Sequence, residues 1–352
     1  MLKRIMLMIA APILATFSGQ SFAQEIFQET TGQYSTIELV ERLPLVGQNK
    51  ITIRSSETLR GFLSITTADK AEVSVNYFKK AKTPSRSRAV DYIDLIALSL
   101  EKTPGGARLE LRAPNPAPWR KGEAGIVELE LVVPDSSSVE IEAPYFDIEA
   151  IGPLKGFVVP SSLGRVDVSD VTGLLEVATT NQRVSVESIS GAITVTATNA
   201  TLAASNITCH EQQARFQNEG GDIRIDGCVG AIDVKNSYGR IDIDNFIPEG
   251  NSNYIRGQSE PIIVAISAMQ NSRLVIANRY EDIEISVPET ISASLSLSVE
   301  ENGKIEATNF PFKAELVTQT RLNLVAGEGL SLIKGGVRGQ GNIYVRGFSE
   351  ND

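Results

Sequence analysis

The sequence predicts an all-β protein in which the second half of the chain forms a β-solenoid. Two patterns favour this fold: a glycine-led strand motif that recurs every nine residues, and asparagines that recur about every 18 residues. A third observation is that this half lacks apolar positions three and four apart, which an amphipathic helix would need. Because 42% of the 352 residues are hydrophobic and only 22% are charged, the chain has the composition of a folded protein.

The first 23 residues predict a secretory signal peptide. Lys3 and Arg4 form a basic start, residues 5–17 are apolar, and residues 21–23 end the segment with the small-x-small pattern of a cleavage site. The apolar stretch is shorter than the roughly 20 residues of a membrane-spanning helix, so a retained anchor is the weaker interpretation. We expect cleavage before Gln24 and an exported protein, periplasmic or extracellular, without a membrane anchor.

The predicted mature chain is acidic. The whole chain carries a formal charge of −10, and loss of Lys3 and Arg4 with the signal peptide changes this to −12. Nucleic acid is therefore not an expected partner, since its binding requires clustered lysines and arginines. Five basic residues do gather around a proline in the segment Lys79–Arg88. This segment is interpreted as a solvated hairpin tip, the alternative being a patch for an acidic glycan or a lipid headgroup.

Residues 24–145 predict an irregular, antiparallel β-domain. Apolar residues alternate with polar ones without a fixed period, for example in the stretches 51–53, 73–75 and 127–131, so each stretch would cover one face of a half-buried strand. Residues 91–100 are ambiguous, because their apolar positions fit a short helix or a strand equally well.

Residues 146–352 predict a repeat domain of stacked coils. A glycine followed by an inward-outward-inward strand recurs at intervals of nine residues or a multiple of nine, except where the coil carries extra residues, and alternate strands repeat at twice that interval. The six copies of this motif start at Gly164, Gly173, Gly191, Gly221, Gly230 and Gly239. Residues 184–186 fill the gap in the series without a preceding glycine.

An asparagine series gives the same coil length of about 18 to 19 residues. In a β-solenoid, whose coils stack about 4.8 Å apart, such a row can form hydrogen bonds along the axis and occupy the left-handed turn that bends the chain. We therefore expect a structural ladder formed by Asn181, Asn199, Asn218, Asn236, Asn253 and Asn271.

At these residues the chain resembles the bacterial putative-adhesin family of unknown function with β-strand repeats, whose members stack short G-x-I-x-V units after an irregular β-rich region. The similarity covers roughly Gly125 to Gly347. It implies a right-handed parallel β-solenoid in an exported, adhesin-like protein, and it implies no catalytic or ligand-binding residues. The chain departs from the motif at Val184, which lacks its glycine, and after Phe246, where the spacing becomes irregular.

The two cysteines predict a disulfide between Cys209 and Cys228. The interval between them equals that from Asn199 to Asn218, so the two should face each other on adjacent coils. The expected separation of about 4.8 Å suits a disulfide, and export makes oxidation available. The alternative is a stacked pair of reduced thiols.

Residues for catalysis or metal binding are few. His210 is the only histidine, and its neighbour Cys209 would point to the opposite face of a strand, so no Cys–His pair is expected. Asp242 and Asp244 lie two apart on one predicted strand face, with Asp226 one coil away. These carboxylates could hold Ca²⁺ or act as a glycosidase pair.

Opposite charges argue against a metal or catalytic role for these carboxylates. One coil length separates Asp222 from Arg240 and Arg224 from Asp242. The two residues of each pair would therefore stack on adjacent coils and neutralise each other's charge. We therefore expect no metal and no cofactor.

The predicted function is non-enzymatic: an adhesin-like binding or structural surface in the cell envelope, with a glycan or another envelope component as partner. The rival is a polysaccharide-degrading β-helix enzyme, a lyase or hydrolase, since the same architecture serves both classes. The sequence favours the first because outward positions are mostly small or charged and aromatics make up only 6% of the chain. Any binding site is expected where the repeat is interrupted, at residues 209–218, 246–258 or 79–88.

Overall fold

The computed structural model describes residues 25–45, 49–300 and 302–349, so the predicted signal peptide lies outside it. Within the described residues the protein is all-β, as predicted, with 26 strands and one short helix. The strands belong to one hydrogen-bonded sheet. None of the described segments is a helix of the length and hydrophobicity needed to cross a bilayer.

The first part of the chain contains nine strands and the helix. They are β1 (Ile26–Thr30), β2 (Gln33–Thr36), β3 (Leu39–Pro44), β4 (Lys50–Ser55), β5 (Leu59–Ala68), β6 (Glu72–Lys82), α1 (Arg86–Asp94), β7 (Ala97–Thr103), β8 (Gly106–Arg112) and β9 (Ala124–Pro134). Antiparallel pairs join β1 to β2, β6 to β2, β3 and β9, and β7 to β8. The ambiguous residues 91–100 contain both structures, because α1 ends within them and β7 begins there.

Strands β4 and β5 depart from the expected antiparallel arrangement. They pair in parallel with β8 and β9 on one side, and with β10 (Ser138–Glu142) and β11 (Phe146–Ser162) on the other. Alternation could not reveal this, because parallel and antiparallel strands both place every second side chain on the same face. Parallel stacking thus begins before residue 146, and one apolar core extends from Leu45 to Val345. The domain boundary after residue 145 stays a prediction.

The nine strands after β11 stack in parallel, at first each on the strand before it in the chain and later each on the strand two places before it. The further strands are β12 (Val166–Thr180), β13 (Val184–Thr198), β14 (Leu202–Asn218), β15 (Ile223–Asn236), β16 (Ile241–Pro248), β17 (Asn253–Arg256), β18 (Ile262–Ile266), β19 (Arg273–Asn278) and β20 (Ile283–Pro288). Val166 lies opposite Val184 and Val184 opposite Leu202, so the register advances by the predicted period. The predicted interior residues are all buried: Val166, Val168, Val184, Val186, Ile223, Ile225, Ile241 and Ile243.

Each of the strands β12 to β16 contains a residue in the left-handed conformation, which bends the strand. These residues form a row through the stack, with φ between 53° and 74°: Asp170, Ser188, Asn206, Gly227 and Asn245. Asparagine, aspartate and glycine tolerate this conformation best, because a short polar side chain or the lack of Cβ reduces the steric cost. The residue type changes along the row, so sequence spacing alone did not predict it.

The stacking changes toward the C-terminus. The last strands are β21 (Ala293–Val299), β22 (Ile305–Thr308), β23 (Lys313–Val317), β24 (Arg321–Ala326), β25 (Ser331–Val337) and β26 (Ile343–Phe348). Strand β26 stacks on β20 in parallel, and β25 stacks on β19, although the intervening strands separate them in sequence. Strand β24 is antiparallel to both β21 and β23, which departs from the expected uniform coils. The irregular spacing after Phe246 was the sequence signal for this change.

The inward and outward positions of β15 give a direct test of the strand facing. Ile223 is fully buried, whereas the side chain of Arg224 is 67% exposed. Replacing Ile223 by Asp should cost several kcal/mol (about 3 or more) of unfolding free energy, because it buries an unpaired carboxylate. Arg224→Ser should cost under about 1 kcal/mol. Urea unfolding measures both, and equal losses would show the facing to be wrong.

Candidate functional site

Extra residues interrupt the repeat at one of its corners. Between β13 and β14, Ser190 lies opposite Thr208 but Thr194 lies opposite Arg215, so β14 gains three residues in between. The partners of β15 show the same change. Gly230 lies opposite Pro248 of β16 and Asp233 lies opposite Tyr254 of β17, which again adds three residues. Two of the interruptions predicted from sequence therefore occupy equivalent places in the stack.

Side-chain contacts join these two additions across strand β15. We call residues 210–213 and 249–252 the paired bulges. His210 Nδ1 lies 2.9 Å from Glu249 Oε2, and Gln213 Nε2 donates a hydrogen bond of 2.6 Å to the carbonyl oxygen of Ser252. The His210 side chain is 59% exposed and that of Glu249 is 42% exposed. The paired bulges thus present linked polar groups to solvent.

Cys209 and Cys228 lie buried beside the paired bulges, both as thiols. A hydrogen bond between them lowers the pKa of Cys209 and raises the pKa of Cys228, and burial opposes ionisation of both. The register places Cys209 opposite Gly230 and Cys228 opposite Ile207, so the expectation that they face each other directly is wrong by two residues. The reason is that all three added residues of β14 follow Cys209, which lengthens the local interval. The disulfide itself stays a prediction.

The predicted asparagine ladder divides among different positions of the repeat. Asn181 and Asn199 do stack: both are exposed and left-handed, and Asn199 Nδ2 donates to Asn181 Oδ1 at 3.5 Å. Asn218 and Asn236 lie opposite each other in a separate, buried row. There each side-chain amide donates to backbone carbonyls, as Asn236 does to Gly221 at 2.9 Å.

Asn253 and Asn271 belong to neither row. Asn253 is buried and lies opposite Leu274, and Asn271 occupies a left-handed turn. Asn278, which lies outside the predicted ladder, shows the pattern of the buried row instead, since its amide donates to the carbonyl of Glu260 at 2.9 Å. The added residues shift the numbering, so equal sequence intervals no longer mean equivalent positions.

The carboxylates singled out in the sequence border a shallow depression of about 300 Å³. Asp226 lies opposite Asp244 and Arg224 lies opposite Asp242, as the coil length predicted. The depression exists because small side chains form its floor, namely Ser185, Ala203 and Ser205.

The ion pairs of this depression run along the strands rather than between them. Arg224 contacts Asp222 at 3.3 Å and Arg240 contacts Asp242 at 3.0 Å, in place of the cross-strand pairs expected. Burial, followed by the charges of Asp242 and Asp226, raises the pKa of Asp244. Across the described chain, no three His, Cys, Asp or Glu side chains are grouped so as to hold a metal ion.

The basic segment Lys79–Arg88 is not a solvated hairpin tip. Its first residues end β6 and its last residues begin α1, where Ser85 caps the helix by accepting from the Arg88 N–H. Lys80 is 7% exposed and contacts Glu29 at 2.9 Å and Glu128 at 2.7 Å. The carboxylates that neutralise it are distant in sequence, so the sequence showed only the positive charges.

Glu123 lies at the centre of a second internal network. Its carboxylate accepts hydrogen bonds from Tyr92 at 2.5 Å, Thr83 at 2.8 Å and Arg88 at 2.8 Å. The hydrogen bond from Tyr92 contributes most, and together these contacts lower the pKa of Glu123 to about 2 against the opposing effect of burial. This segment therefore holds the helix against the sheet, and only part of its charge is available to a ligand.

No family model and no curated protein matches the chain. Solved structures that it resembles include a putative lipid binding protein from Parabacteroides distasonis (TM-score 0.35), a putative adhesin from Bacteroides fragilis (0.31) and a putative cell adhesion protein from Clostridium sporogenes (0.22). Each is 10% identical over 88% of this chain and 96%, 96% and 99% of the respective structure. Putative adhesins, the family that the repeat motif resembles, are thus among the similar structures.

The thiol pair predicts a redox measurement. If the protein is exported, we expect Cys209 and Cys228 to be oxidised to a disulfide, because both are buried on adjacent strands two register positions apart and the compartment is oxidising. Thiol titration of unfolded, non-reduced protein should then find no free thiol, and reduction should release two. Two free thiols before reduction would contradict the disulfide.

The Glu123 network predicts a pH-dependent stability. The folded pKa of Glu123, about 2, lies below its ordinary value of 4.5, so its contribution is fully present above pH 4.5 and is lost as pH falls toward 2. The difference in melting temperature between wild type and Glu123→Gln should therefore shrink on acidification from pH 6 to pH 2. Glu57→Gln, at an exposed position, is the control, and a difference that stays constant with pH would contradict the prediction.

Proposed function

We propose that this chain is an exported, non-enzymatic protein whose parallel strands from β11 to β20 form a right-handed β-solenoid that carries an adhesin-like binding surface. The basic-apolar start and the small residues 21–23 support export to the periplasm or beyond. The parallel pairing of strands one repeat period apart supports the solenoid. The expected partner is a glycan or another component of the cell envelope.

The paired bulges are the observation that carries this proposal. A stack of identical repeats needs no added residues to bury its apolar side chains, yet two repeats carry three more residues each at the same corner. There the exposed side chains of His210 and Glu249 contact each other, and half-buried Gln213 donates a hydrogen bond to Ser252. Such a local, polar interruption of a regular surface is where a specific partner can be distinguished from the rest of the face.

The open geometry supports binding rather than catalysis. A catalytic group requires a pKa tuned by burial or by a partner, beside a pocket that excludes water. The paired bulges are exposed to solvent, and the acidic depression is shallow. The raised pKa of Asp244 beside Asp226 and Asp242 is the one feature that favours the alternative, a polysaccharide-degrading enzyme.

Envelope binding is the direct test of the proposal. The mature chain should retain components of a cell-envelope extract and bind saturably in a glycan array, whereas Gln213→Ala/Glu249→Ala should weaken retention by about tenfold. Thr196→Ala, an exposed change on the regular face of β13, is the matched control and should bind as wild type does. Equal binding by the bulge variant would contradict the role of the paired bulges.

Turnover is the test that separates the two classes. A polysaccharide panel assayed for reducing-end and unsaturated products, with and without Ca²⁺, should give no product with the wild type. Product formation that Asp244→Asn abolishes would overturn the non-enzymatic proposal in favour of the enzyme.

A further inference from the structure

All three tyrosines that are exposed in the described part of the chain lie on one row of the stack. Tyr145, Tyr238 and Tyr280 are 42%, 61% and 47% exposed. Each of them lies three residues before a residue that belongs to one continuous line of paired strand positions. This line joins Ile148, Val166, Val184, Leu202, Ile223, Ile241, Ile262 and Ile283. The positions three residues before these define what we call the tyrosine row: Tyr145, Leu163, Asn181, Asn199, Gly220, Tyr238, Ser259 and Tyr280.

Folding does not explain this coincidence. The other described tyrosines are buried or half-buried, and outward positions of the strands are mostly small or charged. An exposed tyrosine gains little from the core, so nothing in the packing favours placing all three on the same corner. Because the intervals between the three tyrosines are long and unequal, the sequence alone does not show that they lie on one row.

The spacing along the row matches a chain of sugar rings. Tyr238 and Tyr280 are two strand spacings apart, which is about 10 Å, the length of roughly two linked sugar rings. The residue between them in the row is Ser259, which has a small side chain. The guanidinium of Arg279 lies 5.0 Å from the centre of the Tyr280 ring and stacks on one of its faces, which restrains the ring.

The middle of the row supplies polar groups. Asn181 and Asn199 are exposed, and their amides lie within 3.5 Å of each other in consecutive left-handed turns. Amides offer both donors and acceptors to hydroxyl groups, while tyrosine offers an apolar ring with a polar end. Sugar rings present the complementary combination of an apolar face and a rim of hydroxyls.

A protein partner would fit the row less well. The core of a protein interface requires a contiguous apolar patch, and here three polar or small residues separate Leu163 from Tyr238 along the row. A row that runs along the stacking direction for about 34 Å suits an extended polymer instead.

We propose that the tyrosine row binds an extended polysaccharide laid along the stack, with the exposed tyrosine rings against the apolar faces of its sugars. This inference rests on the proposed function and names the ligand class of that surface. The Tyr238–Tyr280 pair contacts one disaccharide unit, and Asn181 and Asn199 bind hydroxyl groups farther along the same chain.

Calorimetry with oligosaccharides tests this proposal on the mature chain. The probes are β-1,4-linked N-acetylglucosamine oligomers, which are neutral, and α-1,4-linked galacturonate oligomers, which are acidic, each of two, four and six rings. Affinity should rise with length in at least one series. Tyr238→Ala/Tyr280→Ala should weaken it by about tenfold, whereas Tyr238→Trp/Tyr280→Trp, which keeps the rings, should retain it. Tyr254→Ala, a half-buried tyrosine on β17 away from the row, is the control and should bind as wild type does.

The outcomes separate this inference from the proposed function. Oligosaccharide affinity that is unchanged by the double alanine variant, or no affinity for either series, would overturn the tyrosine row as a glycan site. Retention of envelope components that still depends on Gln213 and Glu249 would then leave the proposed function standing. Binding to an envelope protein that is lost in the double alanine variant would assign the row to a protein and likewise overturn the inference.

Discussion

The structure depends on one constraint: the inward apolar residues of each strand must lie opposite those of the strands before and after it. Because side chains alternate between the two faces, a slip of one residue would turn a complete set of valines and isoleucines out to solvent. The interval between paired residues is 18 from β12 to β13 and 21 at the start of β14 and β15, and in both cases the register keeps inward residues opposite inward residues. Bends, added residues and polar rows are all accommodated at positions where they leave this match intact.

The sequence predicted the stack well where the repeat is uniform. Glycine-led alternation located the buried residues of β12, β13, β15 and β16, because burial and period 2 are both visible in a single chain. The sequence did not predict the features that depend on a segment distant in the chain. Parallel pairing of β4 with β8, and the neutralisation of Lys80 by Glu29 and Glu128, join segments that leave no mark on each other's local sequence.

The candidate site was predictable only in outline. Two of the expected interruptions do meet, but their contact through His210 and Glu249 spans 39 residues and depends on the side chains of two different additions. The asparagine series shows the reason in detail. Three added residues after Cys209 changed the register, so Asn199 and Asn218, which looked equivalent by spacing, lie on different rows. The same shift hid the common position of the three exposed tyrosines until the pairing was known.

The corner that holds the paired bulges has a consequence for engineering. Three residues were added there in β14, and the flanking positions Ile207 and Ala214 remained fully packed. Since the entropy of closing a surface loop rises only slowly with its length, a longer peptide grafted at this corner would cost the scaffold little. The stack could thus display foreign loops side by side, at a separation set by the distance between strands.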